Sequence, residues 1–99
     1  MSVVWSQEAG ENLVDIENFV ARDNLERAVR FVDALIGHAE AVLADNPRSG
    51  RTVPEIGNPD IREFIYREYR IVYRINSDKI EILTVFEGHR LLRLSESDT

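Results

Sequence analysis

The chain has 99 residues, 43% of them hydrophobic, which is enough for one hydrophobic core and too few for two. It contains no cysteine, so disulfides, thiolate metal sites and thiol nucleophiles are all excluded. The formal net charge of −6 argues against a general nucleic-acid binder, because affinity for phosphates comes mainly from clustered Lys and Arg.

The first predicted element is a short strand at Val3-Val4-Trp5, which is β-branched and aromatic. The segment has neither the basic flank of a signal peptide nor an apolar run that spans a membrane, so we expect a soluble cytoplasmic protein with no membrane contact. Ser6 is a favourable N-cap for a helix from Gln7 to Ala21. The apolar residues of that helix recur at spacings of three and four and so share one face: Ala9, Leu13, Ile16 and Val20.

A longer second helix follows after a break of a few residues. Asp23 is the predicted N-cap, and Glu26 three residues later completes a capping box. Apolar residues then keep the helical period for five turns: Leu25, Ala28, Val29, Val32, Leu35, Ile36, Ala39, Val42 and Leu43. Because the connection is so short, the two helices are predicted to pack as an antiparallel αα-hairpin.

After the helices the chain changes to a pattern of period two. Proline and glycine are frequent in the segment 47–59, where we expect no regular structure. Strands are predicted from about Arg62 to Arg67, over Tyr69 to Ile75, and after a turn at 76–78. In the last strand, one face is predicted to carry Ile80, Ile82, Thr84 and Phe86, and the other Glu81, Leu83 and Val85.

This order predicts an α+β fold with a short N-terminal strand and the antiparallel αα-hairpin packed on one face of a mainly antiparallel sheet, β-α-α-β-β-β. One domain over residues 1–94 is expected, followed by a polar, frayed tail at 95–99. The sheet face opposite the helices, which bears Arg70 and Arg74, is expected to be open.

Charge is unevenly distributed along the chain. Residues 1–45 have a net charge of −6, residues 46–94 of +2, and the last five residues of −2. The basic residues of the second half are all Arg except Lys79, and Arg makes planar bidentate contacts with carboxylate or phosphate. This half is therefore a candidate recognition face, and the simpler alternative is an open sheet face with solvated charges.

A family resemblance spans nearly the whole chain. It is carried by Trp5-Ser6 before the first helix, the long second helix, Pro47 through Glu55, Tyr69 through Ile75, and Ile80 to Arg90. In this order and spacing the chain resembles the RelE/ParE superfamily of toxins, and its ParE branch in particular. The resemblance implies the toxin of a type II toxin–antitoxin module, a class linked to plasmid stabilisation. It also implies a small cognate antitoxin whose C-terminal segment wraps the toxin and whose N-terminal part binds DNA.

The superfamily has two modes of action. RelE-type members cut mRNA on the ribosome, and ParE-type members poison DNA gyrase. Cleavage by 2′-OH attack needs a base, cations facing the phosphate and an acid. The resemblance assigns Arg70 and Arg90 to cationic positions, but Ile61-Arg62-Glu63 stands where RelE-like enzymes have Lys, and no Tyr follows Arg90.

Two further sets of side chains leave alternatives open. His89 could shuttle a proton near neutral pH, although a His beside Gly at a strand end is more often a turn or surface residue. Glu55, Glu63 and Glu68 could act as bases, but ion pairs with the nearby Arg51, Arg62 and Arg67 are the better interpretation. For Arg51 and Glu55 we expect a structural role, bracing the loop against the sheet.

The leading hypothesis is a non-catalytic toxin that inhibits DNA gyrase by binding it; the alternative is a ribosome-dependent mRNA endonuclease using Arg70, Arg90 and His89. No cofactor or metal is expected. A homodimer and a heterotetramer with the antitoxin are both left open. The residues expected to bind the target or the antitoxin are Arg51, Arg62, Arg70, Arg74, Arg90, Leu91, Leu92 and Leu94.

Overall fold

The computed structural model describes residues 1–88. In chain order the elements are β1 (Ser2–Trp5), α1 (Gln7–Ala21), α2 (Leu25–Asp45), β2 (Arg51–Thr52), β3 (Ile61–Tyr66), β4 (Tyr69–Ile75) and β5 (Lys79–Glu87). The predicted α+β fold with its helical hairpin is confirmed. The predicted domain end at residue 94 and the frayed tail lie outside the described residues, and both remain predictions.

Helix α1 begins and ends where the sequence predicts. The Ser6 hydroxyl accepts a hydrogen bond from the Ala9 N–H at 3.0 Å, which satisfies one of the donors that the first turn of a helix leaves unpaired. The same hydroxyl donates to the Leu83 carbonyl at 2.9 Å. The cap therefore also fixes the start of the helix to β5.

The predicted cap of α2 is wrong by one residue. Asn24, not Asp23, is the N-cap, and its side-chain oxygen accepts from the Arg27 N–H at 2.9 Å. The Asp23 N–H donates back to the Val20 carbonyl at 3.1 Å, so Asp23 still belongs to the end of α1. Adjacent Asp and Asn are both good caps, and the sequence pattern alone does not separate them.

The sheet has the strand order β1-β5-β4-β3-β2 within residues 1–88. Strand β1 pairs in parallel with β5, and the remaining neighbours are antiparallel. The pairing of the first strand with the last described one, Ser2 with Lys79 through Trp5 with Ile82, places β5 in the interior of the sheet. The helices cover one face, as predicted.

Two predictions about the segment before β4 need correction. The Pro/Gly segment is not wholly irregular, because Arg51 and Thr52 form the two-residue strand β2, paired with Glu63 and Arg62. Strand β3 begins and ends one residue earlier than predicted. A strand of two residues is too short to leave a periodic signal in the sequence.

The main hydrophobic core lies between the helices and the sheet. Residues from α1, α2, β4 and β5 share it: Ala9, Leu13, Ile16, Val32, Leu35, Ala39, Leu43, Tyr69, Ile71, Tyr73, Ile80, Ile82 and Val85. Trp5, predicted to anchor β1, packs against this core half-buried, and its indole N–H donates to Glu40 at 3.0 Å. Of the apolar residues of α2, Leu25 and Val29 are exposed.

A β-bulge in β5 overturns the predicted alternation of its side chains. Val72 pairs with Thr84 and the next residue, Tyr73, with Ile82, so Leu83 is the extra residue. After the bulge Val85, not Thr84, lies in the core beneath the helices. Leu83 lies on the face opposite Ile82, as predicted, and packs there with a second cluster, which Phe86 joins contrary to the predicted alternation.

That opposite face is not open, contrary to expectation. The segment after β2 folds over it, and Val53, fully buried, packs with Ile61 and Val72. Ile56, Leu83 and Phe86 pack around this second cluster. The order of the elements predicts only the layer of helices, and the second cover comes from an irregular segment that carries Val53 and Ile56.

Candidate functional site

The covered sheet face contains a cluster of four charged side chains, Arg51, Glu55, Glu63 and Arg70. Strand pairing places Glu63 opposite Arg51 on β2 and opposite Val72 on β4. Arg70 is two residues from Val72 along β4 and therefore points to the same face of the sheet. Residues directly opposite each other on neighbouring strands point to the same face, so the sheet itself brings Arg51 and Glu63 together. We refer to these four residues as the Arg70 cluster.

Glu63 and Arg70 form its buried centre. The Glu63 side chain is fully buried and that of Arg70 is 7% exposed. Arg70 Nε donates to Glu63 Oε1 at 2.6 Å, and Nη2 lies 2.5 Å from the same oxygen. The Arg70 guanidinium carbon also lies 5.0 Å from the centre of the Phe86 ring, within the range of a cation–π contact.

Glu55, in the segment between β2 and β3 that covers this face of the sheet, binds the same guanidinium group. Arg70 Nη1 donates to Glu55 Oε2 at 3.0 Å and Nη2 donates to Oε1 at 3.1 Å. These are two nearly parallel bonds, the geometry in which Arg binds a carboxylate most strongly. Glu55 thereby attaches the loop to the sheet, as predicted, although its partner is Arg70 and not Arg51.

Arg51 completes the cluster at the surface. Its Nε donates to Glu63 Oε2 at 2.7 Å, while its side chain is 66% exposed. The predicted ion pairing of Glu63 with Arg51 is confirmed. The cluster as a whole holds two guanidinium groups and two carboxylates, so its charges balance.

Electrostatics keep Arg70 charged. Its pKa is raised above the ordinary value, first by the hydrogen bonds to Glu55 and then by Glu63, against the opposing effect of burial. A buried Arg is stable only when its charge is paired and its donors are satisfied. The two carboxylates provide that pairing.

The other predicted binding residues do not join this cluster. Arg62 points to the helix side and donates to two backbone carbonyls, Gly50 at 2.9 Å and Pro59 at 3.0 Å. Arg74 is exposed at the far end of β4. His89, Arg90, Leu91, Leu92 and Leu94 lie outside the described residues.

Sequence reasoning missed the burial of Arg70, which it placed on an open recognition face. It also considered Glu55 and Glu63 as partners of Arg51, Arg62 and Arg67 only. The alternation of side chains along the strands could have indicated the pairing of Glu63 with Arg70. When β3 and β4 are paired across a short turn, these two residues lie on the same face of the sheet. The covering loop could not be seen in that pattern.

Apart from the Arg70 cluster, a pocket of about 370 Å³ lies between α1 and the end of β5. Its lining is Asn12, Asp15, Ile16, Phe19, Tyr69, Val85, Phe86 and Glu87. The pKa of Tyr69 is raised by burial and by the nearby charges of Glu68 and Glu87. The Asn12 side-chain oxygen accepts from both Thr84 Oγ1 and the Val85 N–H at 2.9 Å, so this polar group ties α1 to the bulged strand.

Within residues 1–88 there is no group of three or more His, Asp or Glu side chains arranged to hold a metal ion. Neither helix of this part of the chain has the length and apolar character needed to cross a membrane.

Comparison with known families decides the assignment. The family model described as the ParE toxin of the type II toxin–antitoxin system, parDE, matches residues 3–92. The chain belongs to the ParE toxin family. The match runs from Val3 in β1 to beyond the last described strand, and it confirms the resemblance seen in the sequence.

The fold of this ParE chain is also found in a solved structure. A chain of the chromosomal ParDE toxin–antitoxin system from P. aeruginosa aligns with a TM-score of 0.72 and 22% identity, covering 88% of the present chain and 95% of its own. At that identity the likeness establishes the fold. Comparison with curated protein sequences found no match.

Proposed function

We propose that this ParE protein acts by binding DNA gyrase in the cytoplasm, without cutting RNA, and that a cognate antitoxin neutralises it. The observation that carries the proposal is that Arg70 is buried and paired with carboxylates. This is the residue that the nuclease alternative needs as a phosphate-facing cation, and its guanidinium is hydrogen-bonded to the carboxylates of Glu63 and Glu55.

Ribonucleases stabilise the charge that builds on the scissile phosphate with preorganised cations. In the Arg70 cluster, Glu63 and Glu55 already neutralise Arg70 and Arg51, and they are acceptors where a phosphate would need donors. Strand β3 adds a second argument, because Glu63 lies in the stretch where RelE-like enzymes have Lys. A negatively charged, buried carboxylate at that place repels a phosphate.

Neutralisation by an antitoxin fits the family and the exposed charges. Arg51 and Arg74 are exposed on the sheet half of the molecule, and guanidinium groups pair well with acidic side chains. We propose a small antitoxin that uses such contacts and carries a DNA-binding N-terminal part.

A supercoiling assay with purified toxin tests the gyrase proposal. We expect dose-dependent loss of supercoiling by gyrase, and intact mRNA when the same preparation is added to translating ribosomes. Unaffected gyrase at saturating toxin would remove this target. Transcript cleavage that is lost in Arg70→Ala and His89→Ala would instead establish the nuclease alternative.

A matched pair of charge reversals tests whether the sheet half contacts the target. Arg74→Glu changes an exposed β4 residue, and Arg22→Glu makes the same change at the C-cap of α1. We expect several-fold weaker gyrase inhibition from Arg74→Glu and little change from Arg22→Glu, because a charge at an interface affects association more than a distant one. Equal effects would contradict a sheet-side interface.

Co-purification with the product of the neighbouring small reading frame tests the antitoxin proposal. We expect a stable complex that abolishes gyrase inhibition, and light scattering then gives its stoichiometry. Failure of the two proteins to associate would contradict neutralisation by that product.

A further inference from the structure

The two carboxylates on Arg70 differ in their access to solvent. The Glu63 side chain is fully buried in the sheet, whereas that of Glu55 is 27% exposed. Glu63 is also shared with Arg51, so it is held by two cations from two strands. Glu55 is held to the cluster from a loop, by the two hydrogen bonds to Arg70 described above.

Glu55 lies in a turn and not in a strand, so movement of its side chain breaks no strand pairing. Val53, fully buried, anchors the loop before Glu55. Beyond Glu55 the chain turns through Gly57, which has a φ of 75°, a conformation that Gly adopts without strain. Ile56 is partly buried against the second cluster.

We propose that Arg70 is a carboxylate-binding site closed in the free toxin by the chain's own Glu55, and that an acidic side chain of a protein partner takes the place of Glu55. The exchange replaces one bidentate carboxylate by another. The buried guanidinium therefore keeps a second carboxylate throughout, which avoids the cost of removing one partner from a buried charge.

The ligand we propose is a carboxylate and not a nucleic-acid phosphate. The chain has a net charge of −6, which disfavours approach of a polyanion, and a single guanidinium gives little of the multiple phosphate contact that such binding needs. An acidic side chain on a folded partner brings one charge together with surrounding apolar contacts, and Ile65, 52% exposed, lies on β3 directly opposite Arg70.

Chemical rescue of a Glu55→Ala variant tests the site with small anions as probes. We expect the melting temperature to fall by about 5 °C, a shift typical of losing one good contact in a chain of this size. Sodium formate or acetate at 100 mM should restore at least half of that loss, and sodium chloride at equal ionic strength should not. Rescue is expected because the cavity left by the side chain admits a small carboxylate to Arg70.

Two control variants separate site occupancy from general salt effects. Glu68→Ala removes an exposed acid in the turn between β3 and β4, and its melting temperature should not respond to formate beyond the response to chloride. Glu55→Gln keeps the side-chain volume in the site without its charge, so formate should restore little. If Glu55→Ala does not fold, formate-dependent folding followed by far-UV circular dichroism measures the same occupancy.

Titrations followed at the Arg70 Nε–Hε resonance identify the class of partner. In Glu55→Ala we expect shifts with the peptide acetyl-Leu-Glu-Leu-amide and none with acetyl-Leu-Gln-Leu-amide or a short oligouridylate. Shifts with the oligouridylate alone would overturn the proposal, as would a formate response no larger than that of chloride. None of these measurements uses gyrase, so the outcome is independent of the proposed target.

Discussion

At the scale of single residues, Gly50 and Tyr73 join the end of the helical hairpin to the sheet. The Gly50 N–H donates to Tyr73 Oη at 3.0 Å, and that hydroxyl donates to the Pro47 carbonyl at 2.8 Å. A Cβ on Gly50 would lie 2.7 Å from the same hydroxyl and closer still to the Glu63 backbone oxygen. The absence of a side chain is therefore required by close approach of two backbones.

We expect Gly50→Ala to lower the free energy of unfolding by about 1–3 kcal/mol, the usual cost of forcing atoms into a packed interior. Gly37→Ala is the matched control, since a Cβ there meets nothing within 4 Å. In the interior of α2 that change should raise the free energy by about 0.5–1 kcal/mol. Urea unfolding measures both; effects of the same sign would contradict the close approach.

Two buried tyrosines predict a loss of stability in alkali. The pKa of Tyr73 is raised above its ordinary value of 10.0 by burial, and that of Tyr69 by burial and two nearby acids. Above about pH 10 the unfolded chain loses these protons first, so the free energy of unfolding should fall as pH rises. The double variant Tyr69→Phe/Tyr73→Phe should flatten this pH dependence, measured by urea unfolding between pH 9 and pH 11. An unchanged slope would show that other groups cause it.

At the scale of elements, the start of α2 gives a test of the corrected cap. Asn24→Ala should cost about 1 kcal/mol of stability, because it removes the acceptor for the Arg27 N–H. Asp23→Ala, one residue earlier, should cost much less. Thermal unfolding followed by circular dichroism compares them, and the reverse order would support the cap expected from the sequence.

The elements also show what sequence can and cannot predict. Local signals were enough for α1, since Ser6 and the helical period depend on neighbouring residues only. Strand β4 was equally well placed by its alternation. The bulge at Leu83 was not, because an extra residue is defined by the partner strand. The short strand β2 likewise exists only through its pairing with β3.

The sequence predicts which residues form the candidate site, but not which of them contact each other. Arg51, Glu55, Glu63 and Arg70 were all singled out, and ion pairing was expected among acids and bases close in sequence. The pairing of Arg70 with Glu55 depends on how a loop crosses the sheet, a contact over 15 residues that no local pattern encodes. The proposed function was inferred from the resemblance to a family and not from these contacts.

At the scale of the whole molecule, small size makes a partner important for stability. A 99-residue chain buries a modest fraction of its surface. An antitoxin at about one hundred times its Kd should add roughly 2.7 kcal/mol to the free energy of unfolding. For a chain of this length that is a rise in melting temperature of roughly 10–20 °C. Differential scanning calorimetry of free toxin and complex measures it, and coincident transitions would contradict specific binding to the folded toxin.

The parallel pairing of β1 with β5 has a consequence for synthesis. Ser2 pairs with Lys79, so β1 has no neighbour in the sheet until β5, which begins at Lys79, has been translated. Contacts between such distant residues also slow folding, because a long loop must close before they form. A nascent chain can form its helical hairpin early, but β1 joins the sheet only after β5 has left the ribosome.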